Sequence, residues 1–350
     1  MRLPRVILAC CGLVGCGDGG SARQATARPT SISIVGGERF ESLFAVVDTL
    51  ILEEPRGVVT VAPRVAVDPL GGFLVADEQE HQVRVYARSG ALQRLIGAGT
   101  SRLDSIRMPE RAVRLVDGSI LAANIRGPIT IIPPDPDRPS RFVPSALRTI
   151  RNVVVLSDRE VLLVGSDARP VSATLFPLDL ATGRIGNGLF PPPPHLDRGV
   201  ATTFSSVITA RWGSRIGAVH MLSDTLVMLD LSGREEGRVP IPIDPFNVPR
   251  GSLPALKTDR DQQAWAAQFT MITDLFWIDR NRIVVQWVKP APDGSEAERG
   301  ILEMDSTGLR SWGIAPSPVL VAVRDSEWFF RDPRSSAPNR WLVARLRSRL

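Results

Sequence analysis

The chain has 350 residues, of which 43% are hydrophobic and 23% are charged, and its mean hydropathy is +0.04. A chain of this length and balance can bury a large core, so its composition excludes wholesale disorder and a polytopic membrane protein. It contains 29 Gly and 29 Pro and lacks long runs of helical periodicity. This pattern favours many short elements joined by turns over a helix bundle.

The basic residues are almost all arginine. Of the 42 basic residues, only Lys257 and Lys289 are lysine, so 40 are arginine, and the formal net charge is +5. The 37 acidic residues are scattered among the arginines, whereas nucleic-acid binding requires clustered positive charge with interleaved aromatic residues. We therefore expect no nucleic-acid partner.

The N-terminal segment has the pattern of a secretory signal peptide. Arg2 and Arg5 precede the short apolar run 6–14, which is too short for a permanent transmembrane helix. All three cysteines lie within the first sixteen residues. The rest of the chain therefore predicts neither a disulfide framework nor thiol chemistry.

Leu13, Val14, Gly15 and Cys16 resemble the lipobox of bacterial lipoprotein signal peptides. The resemblance implies that Cys16 becomes the acylated N-terminus of the mature protein, and more than one acyl chain is what stable membrane anchoring requires. An ordinary signal peptide with an incidental cysteine is the alternative. The predicted divisions are a signal peptide at 1–15, a flexible tether at 16–30 and a folded domain at 31–350.

A repeated pattern of β-rich runs and tight turns begins at Pro63. The clearest unit comprises four such runs, at 64–68, 73–77, 83–86 and 92–96. Four short strands joined by hairpin turns predict an antiparallel meander. Further units follow at intervals of roughly 45 residues, which is the length of a four-stranded propeller blade.

The repeats predict an all-β fold, a six-bladed β-propeller of four-stranded antiparallel blades. The sixth copy has only three strands, so we expect an N-terminal strand within 43–52 to complete the last blade and close the ring. The longest inter-blade insertion is 244–268, and its part 253–268 has helix-compatible composition. A pair of β-sandwiches or an irregular all-β domain is the alternative.

The first unit, Val65 to Asp77 followed by Glu80 to Tyr86, resembles an NHL-type repeat of six-bladed propellers. The family pattern is a strand ending in Asp-x-x-Gly, a Val-Ala-Asp strand, an Asn-His-Arg-like break and a Val-x-Val-Phe strand. His81 occupies the His position, and Glu80 replaces the usual Asn. The resemblance implies a fold and not an activity, because propellers include hydrolases, lyases and binding platforms.

Metal chemistry has few candidate ligands in this sequence. The only histidines are His81, His195 and His220, and we expect them to lie apart, so a three-His zinc site is not predicted. Propeller enzymes of the lactonase type assemble a divalent-metal site from single side chains on different blades. The candidates for such a site are Asn124, Asn152 and Asp274, and turn or cap roles are the alternative for each.

The loops that lead from one blade to the next carry several arginines and a tryptophan. The candidate ligand-binding residues are Arg107, Arg111, Arg151, Arg198 and Trp265. Guanidinium groups beside an indole suit an anionic or sugar-like ligand. The alternative is that these arginines pair with acids of the same loops, such as Glu110 and Asp197. The six other tryptophans lie in or beside predicted strands, where we expect them to pack between blades.

These observations favour an exported, lipid-anchored, monomeric propeller that acts as a non-catalytic binding module in the cell envelope. Its expected partners are the membrane, through Cys16, and a protein or an anionic or glycan ligand. No cofactor is predicted. The alternatives are a metal-dependent hydrolase or lactonase-type enzyme, with a divalent metal at the tunnel mouth, and a structural scaffold of an envelope complex.

Overall fold

The computed structural model describes residues 39–55, 63–97, 106–167, 173–204, 206–243, 246–289, 297–305 and 311–347. The predicted signal peptide, Cys16 and the tether lie outside these residues. Within the described ranges, no helix is long and apolar enough to cross a membrane.

Six antiparallel sheets form the blades of a ring, and the predicted all-β, six-bladed propeller is confirmed. The described chain begins with a one-turn helix, α1 (Phe40–Leu43), and strand β1 (Phe44–Ile51). The first blade is β2 (Arg64–Val67), β3 (Phe73–Asp77), β4 (Gln82–Tyr86) and β5 (Leu92–Ile96). The second is β6 (Pro109–Arg114), β7 (Ile120–Asn124), β8 (Ile129–Ile132) and β9 (Arg141–Val143).

The remaining blades follow in chain order. The third contains β10 (Thr149–Val155), β11 (Glu160–Ser166) and β12 (Leu175–Asp179), and helix α2 (Arg198–Thr203) follows it. The fourth is β13 (Val207–Trp212), β14 (Arg215–His220), β15 (Thr225–Asp230) and β16 (Glu235–Pro240). Helix α3 (Asp259–Ala266) precedes the fifth blade, β17 (Met271–Trp277), β18 (Arg282–Lys289), β19 (Glu298–Asp305) and β20 (Ser311–Ile314). The sixth is β21 (Leu320–Arg324), β22 (Glu327–Arg331) and β23 (Arg340–Leu346), completed by β1.

The outer position of the third blade is irregular. Residues 185–189 fill it with two isolated bridges to β12 instead of the continuous strand that the sequence predicts there. Pro177 lies in the middle of β12, and its carbonyl accepts a hydrogen bond from Gly186 N. Because Pro177 has no N–H to return that bond, the ladder is interrupted between the two bridges.

Strand β1 closes the ring, as the sequence predicts. It pairs antiparallel with β23, from Phe44 opposite Leu346 to Ile51 opposite Arg340. The last blade therefore contains three strands from the C-terminal end of the chain and one from the N-terminal end. This pairing covers the edge that β23 would otherwise expose.

The core consists of apolar clusters between neighbouring blades. Six clusters of buried residues fill the six boundaries of the ring, including the boundary between the last and first blades. Trp287, Trp328 and Trp341 are fully buried within them, which agrees with the expected inter-blade role. Trp212 differs, because it ends β13 at a hairpin turn and is 44% exposed.

Arginine side chains also connect neighbouring blades. Arg114 of the second blade donates from Nε and Nη2 to the buried carboxylate of Asp68 in the first, with an Nη2–Oδ2 distance of 2.6 Å. Arg324 of the sixth blade donates to the Gly71 carbonyl of the first. Arg94 of the first blade reaches forward to the Pro133 carbonyl at 3.1 Å. The planar guanidinium group supplies several donors at once, and this use explains part of the arginine content.

Candidate functional site

One end of the central tunnel collects the charged residues that form the candidate site. The innermost strand of each blade begins at this end, which we call the entry mouth, and runs to a hairpin at the opposite face. The second strand of each blade ends at the mouth and the third begins there. The innermost strands are β2, β6, β10, β13, β17 and β21.

Four of the six innermost strands carry a β-bulge close to the mouth. The residues that pairing with the second strand skips are Glu110, Arg151, Thr273 and Val321. A bulge inserts one residue and changes the direction of the side chains beside it, and bulges are common next to binding sites. Here two of the four inserted residues are charged, and both belong to the candidate site.

Glu110 connects three blades. It is 3% exposed, and its carboxylate lies 3.3 Å from Arg64 Nη2 of the first blade and 3.6 Å from Arg151 Nη1 of the third. Burial raises the pKa of Glu110, and the two arginines partly oppose that shift. Arg151 therefore pairs with a buried acid of the neighbouring blade and not with an acid of its own loop.

Asp274 faces the mouth from the fifth blade. Its cross-strand neighbour Gln286 donates from Nε2 to its carboxylate at 3.3 Å. Burial raises the pKa of Asp274 to about 6, against the opposing effects of Arg111, Arg64, Gln286 and Arg299. The side chain is only half-buried.

Three further arginines approach the mouth, namely Arg111 on β6, Arg299 on β19 and Arg331 on β22. All three are half-buried, and burial lowers the pKa of each guanidinium group. The side chain of Arg111 donates from Nη1 to the Val65 carbonyl at 2.7 Å. Over the ranges that the structure describes, none of the three forms an ion pair with a carboxylate.

The two asparagine candidates have mainly structural hydrogen bonds. Asn124 is fully buried; its side chain accepts from Arg107 N at 3.0 Å and donates to the Pro128 carbonyl at 2.7 Å. Asn152 lies beside the bulge of β10 and donates to Thr209 Oγ1 of the next blade at 3.1 Å. Only Asn152 therefore lies on an innermost strand with the charged cluster.

The histidines also occupy structural positions. His81 Nδ1 accepts from Met108 N at 3.0 Å. His220 ends β14, is 1% exposed, and its Nδ1 accepts from Leu222 N at 3.2 Å. Burial lowers the pKa of His220 to about 4, with a smaller contribution from nearby His195. His195 and His220 are thus neighbours near the fourth blade, whereas His81 belongs to the first.

The remaining sequence candidates are either exposed or engaged in packing. Arg107 and Arg198 are exposed. Trp265 of α3 stacks on Phe204, which follows α2, with ring centroids 5.0 Å apart, and also contacts Phe269. The insertion is helical where its composition suggests, although α3 is shorter than the predicted stretch. The indole of Trp265 holds the two helices together, which accounts for it without a ligand.

The described residues contain no group of three or more His, Cys, Asp or Glu side chains arranged to hold a metal ion. The groups that act most strongly on Asp274 are arginines, and these would repel a cation. Of the candidate set Asn124, Asn152 and Asp274, Asn124 already bonds Arg107 N and the Pro128 carbonyl. The mouth is therefore better suited to an anion than to a metal.

Sequence analysis did not identify Arg64, Arg299 and Arg331 as site residues. They lie at the start of a first strand, the start of a third strand and the end of a second strand. Each of these positions points to the entry mouth in a propeller. The sequence feature that could have identified them is an arginine at a strand end on the mouth side. Recognising this feature requires knowledge of the strand order in each blade.

Comparison with known proteins identifies the fold alone. No protein-family model matches the chain, and no curated protein is similar in sequence. A solved structure described as a "Putative exported protein" from Bacteroides fragilis has a TM-score of 0.58 and 12% identity, covering 88% of this chain and 96% of that one. A member of the DUF4221 family from Bacteroides vulgatus has a TM-score of 0.57 and 10% identity, covering 87% and 97%. A streptogramin B lyase is more distant, with a TM-score of 0.46, 10% identity and coverages of 81% and 78%.

Proposed function

We propose that this protein is an exported, lipid-anchored propeller of the cell envelope that binds a small ligand at the entry mouth of its tunnel. The observation that carries the binding role is the charge of the mouth. Five arginines surround two carboxylates, and they come from five of the six blades. They are Arg64, Arg111, Arg151, Arg299 and Arg331 around Glu110 and Asp274.

Half-buried arginines have a high desolvation cost, which nearby acids normally offset. In this set the five arginines outnumber the acids even when Glu78, which also acts on Glu110, is counted with Glu110 and Asp274, so an excess of positive charge remains. Partial exposure leaves those groups accessible from the tunnel. A ligand that supplies the missing negative charge is the simplest use of such a site.

The envelope location rests on the N-terminal sequence. Basic residues, a short apolar run and the lipobox-like residues ending in Cys16 form the pattern of a lipoprotein signal. The structural similarity to a protein from Bacteroides fragilis described as exported is consistent with this location. The resemblance of the first blade to an NHL repeat supports the six-bladed propeller fold. It does not indicate which ligand is bound.

Asp274 favours a second function, catalysis at the same mouth. A carboxyl group with a pKa of about 6 can give or accept a proton near neutral pH, as general acids and bases do. This function requires that the bound ligand be converted. Loss of conversion in Asp274→Asn with retained binding would support it.

The binding function can be tested with the full chain in detergent. The protein is equilibrated with the small-molecule fraction of a bacterial extract, washed, denatured and analysed by mass spectrometry. The variant Arg111→Gln changes the mouth, and Arg138→Gln changes an exposed arginine paired with exposed Asp135. Retention of one compound by the wild type and Arg138→Gln, and its loss in Arg111→Gln, supports the function. Equal retention by all three proteins, or none, contradicts it.

A further inference from the structure

We propose that Arg111, Arg299 and Arg331 form a subsite for a compact oxyanion with at least two negative charges, of the phosphate or sulfate type. This inference rests on the proposed function and specifies its ligand class.

The three arginines lie on separate strands, each on the mouth side of its blade. Arg111 belongs to the second blade, Arg299 to the fifth and Arg331 to the sixth. Arg111 and Arg299 both act electrostatically on Asp274, and Arg299 acts on Arg331. Asp274 thus links Arg111 to Arg299, and Arg299 in turn acts on Arg331.

The cluster contains buried donors without partners. The Nε atoms of Arg111 and Arg331 are both buried and form no hydrogen bond within the described part of the chain. Buried polar atoms in folded proteins are nearly always satisfied, so each exception requires an explanation, such as an ion. A guanidinium group donates to oxyanions through Nε and a terminal nitrogen together, and in Arg111 and Arg331 the Nε donor has no partner among the described residues.

Neither Glu110 nor Asp274 fills this role. Glu110 is paired with Arg64 and Arg151. Asp274 is held by Gln286 Nε2, and among the described residues it forms no ion pair with an arginine. Three positive charges therefore face at most one negative charge.

The arrangement favours a tetrahedral oxyanion over a single carboxylate. A carboxylate has two oxygens in one plane and is satisfied by one or two guanidinium groups. Three guanidinium groups from three blades can surround a group with three or four oxygens. The three arginines and the carboxylate of Asp274 together leave two positive charges. Two negative charges on the ligand balance them.

The test is calorimetric titration of the full chain in detergent with sodium sulfate at pH 7, with sodium chloride holding the ionic strength constant. Sulfate is a suitable probe because its charge does not change between pH 5 and 8. We expect saturable binding that weakens by about tenfold or more in Arg111→Gln, Arg299→Gln and Arg331→Gln, as loss of a charge-assisted hydrogen bond requires. Arg138→Gln should bind like the wild type. Malonate, a dianion made of two carboxylates, should bind more weakly than sulfate.

Circular dichroism of each variant separates a binding effect from loss of fold. If Arg111→Gln fails to fold because its bond to Val65 is lost, Arg331→Gln still tests the subsite, since its Nε has no partner among the described residues. Absence of sulfate binding, or equal affinity in the wild type and the folded variants, would falsify the subsite. Stronger binding of malonate than of sulfate would contradict the tetrahedral class.

The two proposals fail in different ways. If the extract yields a neutral or cationic compound that Arg111→Gln loses, the mouth binds a ligand and the oxyanion inference is wrong. If sulfate binds through the three arginines while the extract yields nothing, the subsite stands and the proposed function is contradicted.

Discussion

Glu110 and Arg151 face each other across the boundary of the second and third blades, and each is the residue that a β-bulge inserts into its innermost strand. Their carboxylate and guanidinium groups lie 3.6 Å apart. A bulge reverses the alternation of side chains beyond it. The two bulges therefore place a charged pair at the mouth while the following residues of both strands stay in the apolar clusters.

This relationship predicts the effect of Glu110→Gln on anion binding. The change removes a negative charge between two arginines, so we expect sulfate affinity at pH 7 to rise by about threefold or more. Because burial already raises the pKa of Glu110, the neutral side chain should not lower stability strongly. Calorimetry gives the affinity. Glu160→Gln, at an exposed position on the opposite face, serves as the control, and an equal gain in both variants would contradict the prediction.

The bidentate contact of Arg114 with Asp68 predicts that arginine is required between these blades. In Arg114→Lys the charge remains, but an ammonium group cannot match the two-pronged geometry. We expect a loss of about 2 kcal/mol in the free energy of unfolding, measured by urea denaturation.

Arg138→Lys provides the comparison for this prediction. Its partner Asp135 is exposed, as is Arg138 itself, so the change should cost less than about 0.5 kcal/mol. Similar effects of the two substitutions would show that Arg114 contributes only its charge.

Closure of the ring by β1 predicts a large effect of Phe44→Ala. The Phe44 ring is 1% exposed and packs 5.1 Å from the ring centroids of Phe40, Trp328 and Phe330. Truncation should lower the free energy of unfolding by about 3–5 kcal/mol. Val46 on the same strand is 49% exposed, so Val46→Ala should change it by less than about 0.5 kcal/mol. Comparable losses would mean that β1 is not integral to the last blade.

The propeller was predictable because each blade is a local meander with its own turn signals. The strands of the first blade follow from β-rich runs and the turns at Gly71 and Gly90, whose positive φ angles glycine adopts without strain. The outer strand of the third blade was not predictable in the same way. The ladder is interrupted because the backbone of Pro177 faces the outer position of the blade. The pairing of β12 with its neighbours determines that direction.

The candidate site was predictable only in part. Arg111, Arg151, Asn152 and Asp274 were proposed from loop and strand-end positions, and all four lie on innermost strands near the mouth. Arg299 lies on the third strand of the blade that contains Asp274, so its place at the mouth follows only from the strand order of that blade. Bulges add to the difficulty, because a one-residue insertion changes which side chains face the tunnel without changing the hydrophobic pattern.

The lipobox resemblance predicts covalent lipid at Cys16. Expression of the full chain in a bacterium with labelled palmitate should yield a labelled protein in the membrane fraction. Cys16→Ser should abolish both labelling and membrane association, because no second cysteine follows in the sequence. Cys10→Ser, within the apolar run of the same segment, should leave both unchanged. Labelling that survives Cys16→Ser would contradict the anchor.

The raised pKa of Asp274 predicts a stability difference that depends on pH. Its folded-state value of about 6 lies above the ordinary 3.8, so folding favours the protonated carboxyl. Below about pH 4 the group is protonated in both states, and the wild type and Asp274→Asn should unfold alike. As pH rises through 6 the wild type loses at most about 3 kcal/mol relative to the variant. Arg111, Arg64, Gln286 and Arg299 face the group and limit this loss.

Urea denaturation of both proteins between pH 4 and pH 8 measures this difference. Asp261→Asn supplies a control of opposite sign, since hydrogen bonds from Thr258 lower the pKa of Asp261. That variant should be less stable than the wild type at pH 7, and the pH-dependent part of the difference should fade as the pH falls. In sulfate titrations, Asp274→Asn should also bind more tightly than the wild type at pH 7, with the two affinities converging below pH 6. Parallel stability and affinity profiles for the wild type and Asp274→Asn would show that Asp274 titrates normally and that its charge does not act on the mouth.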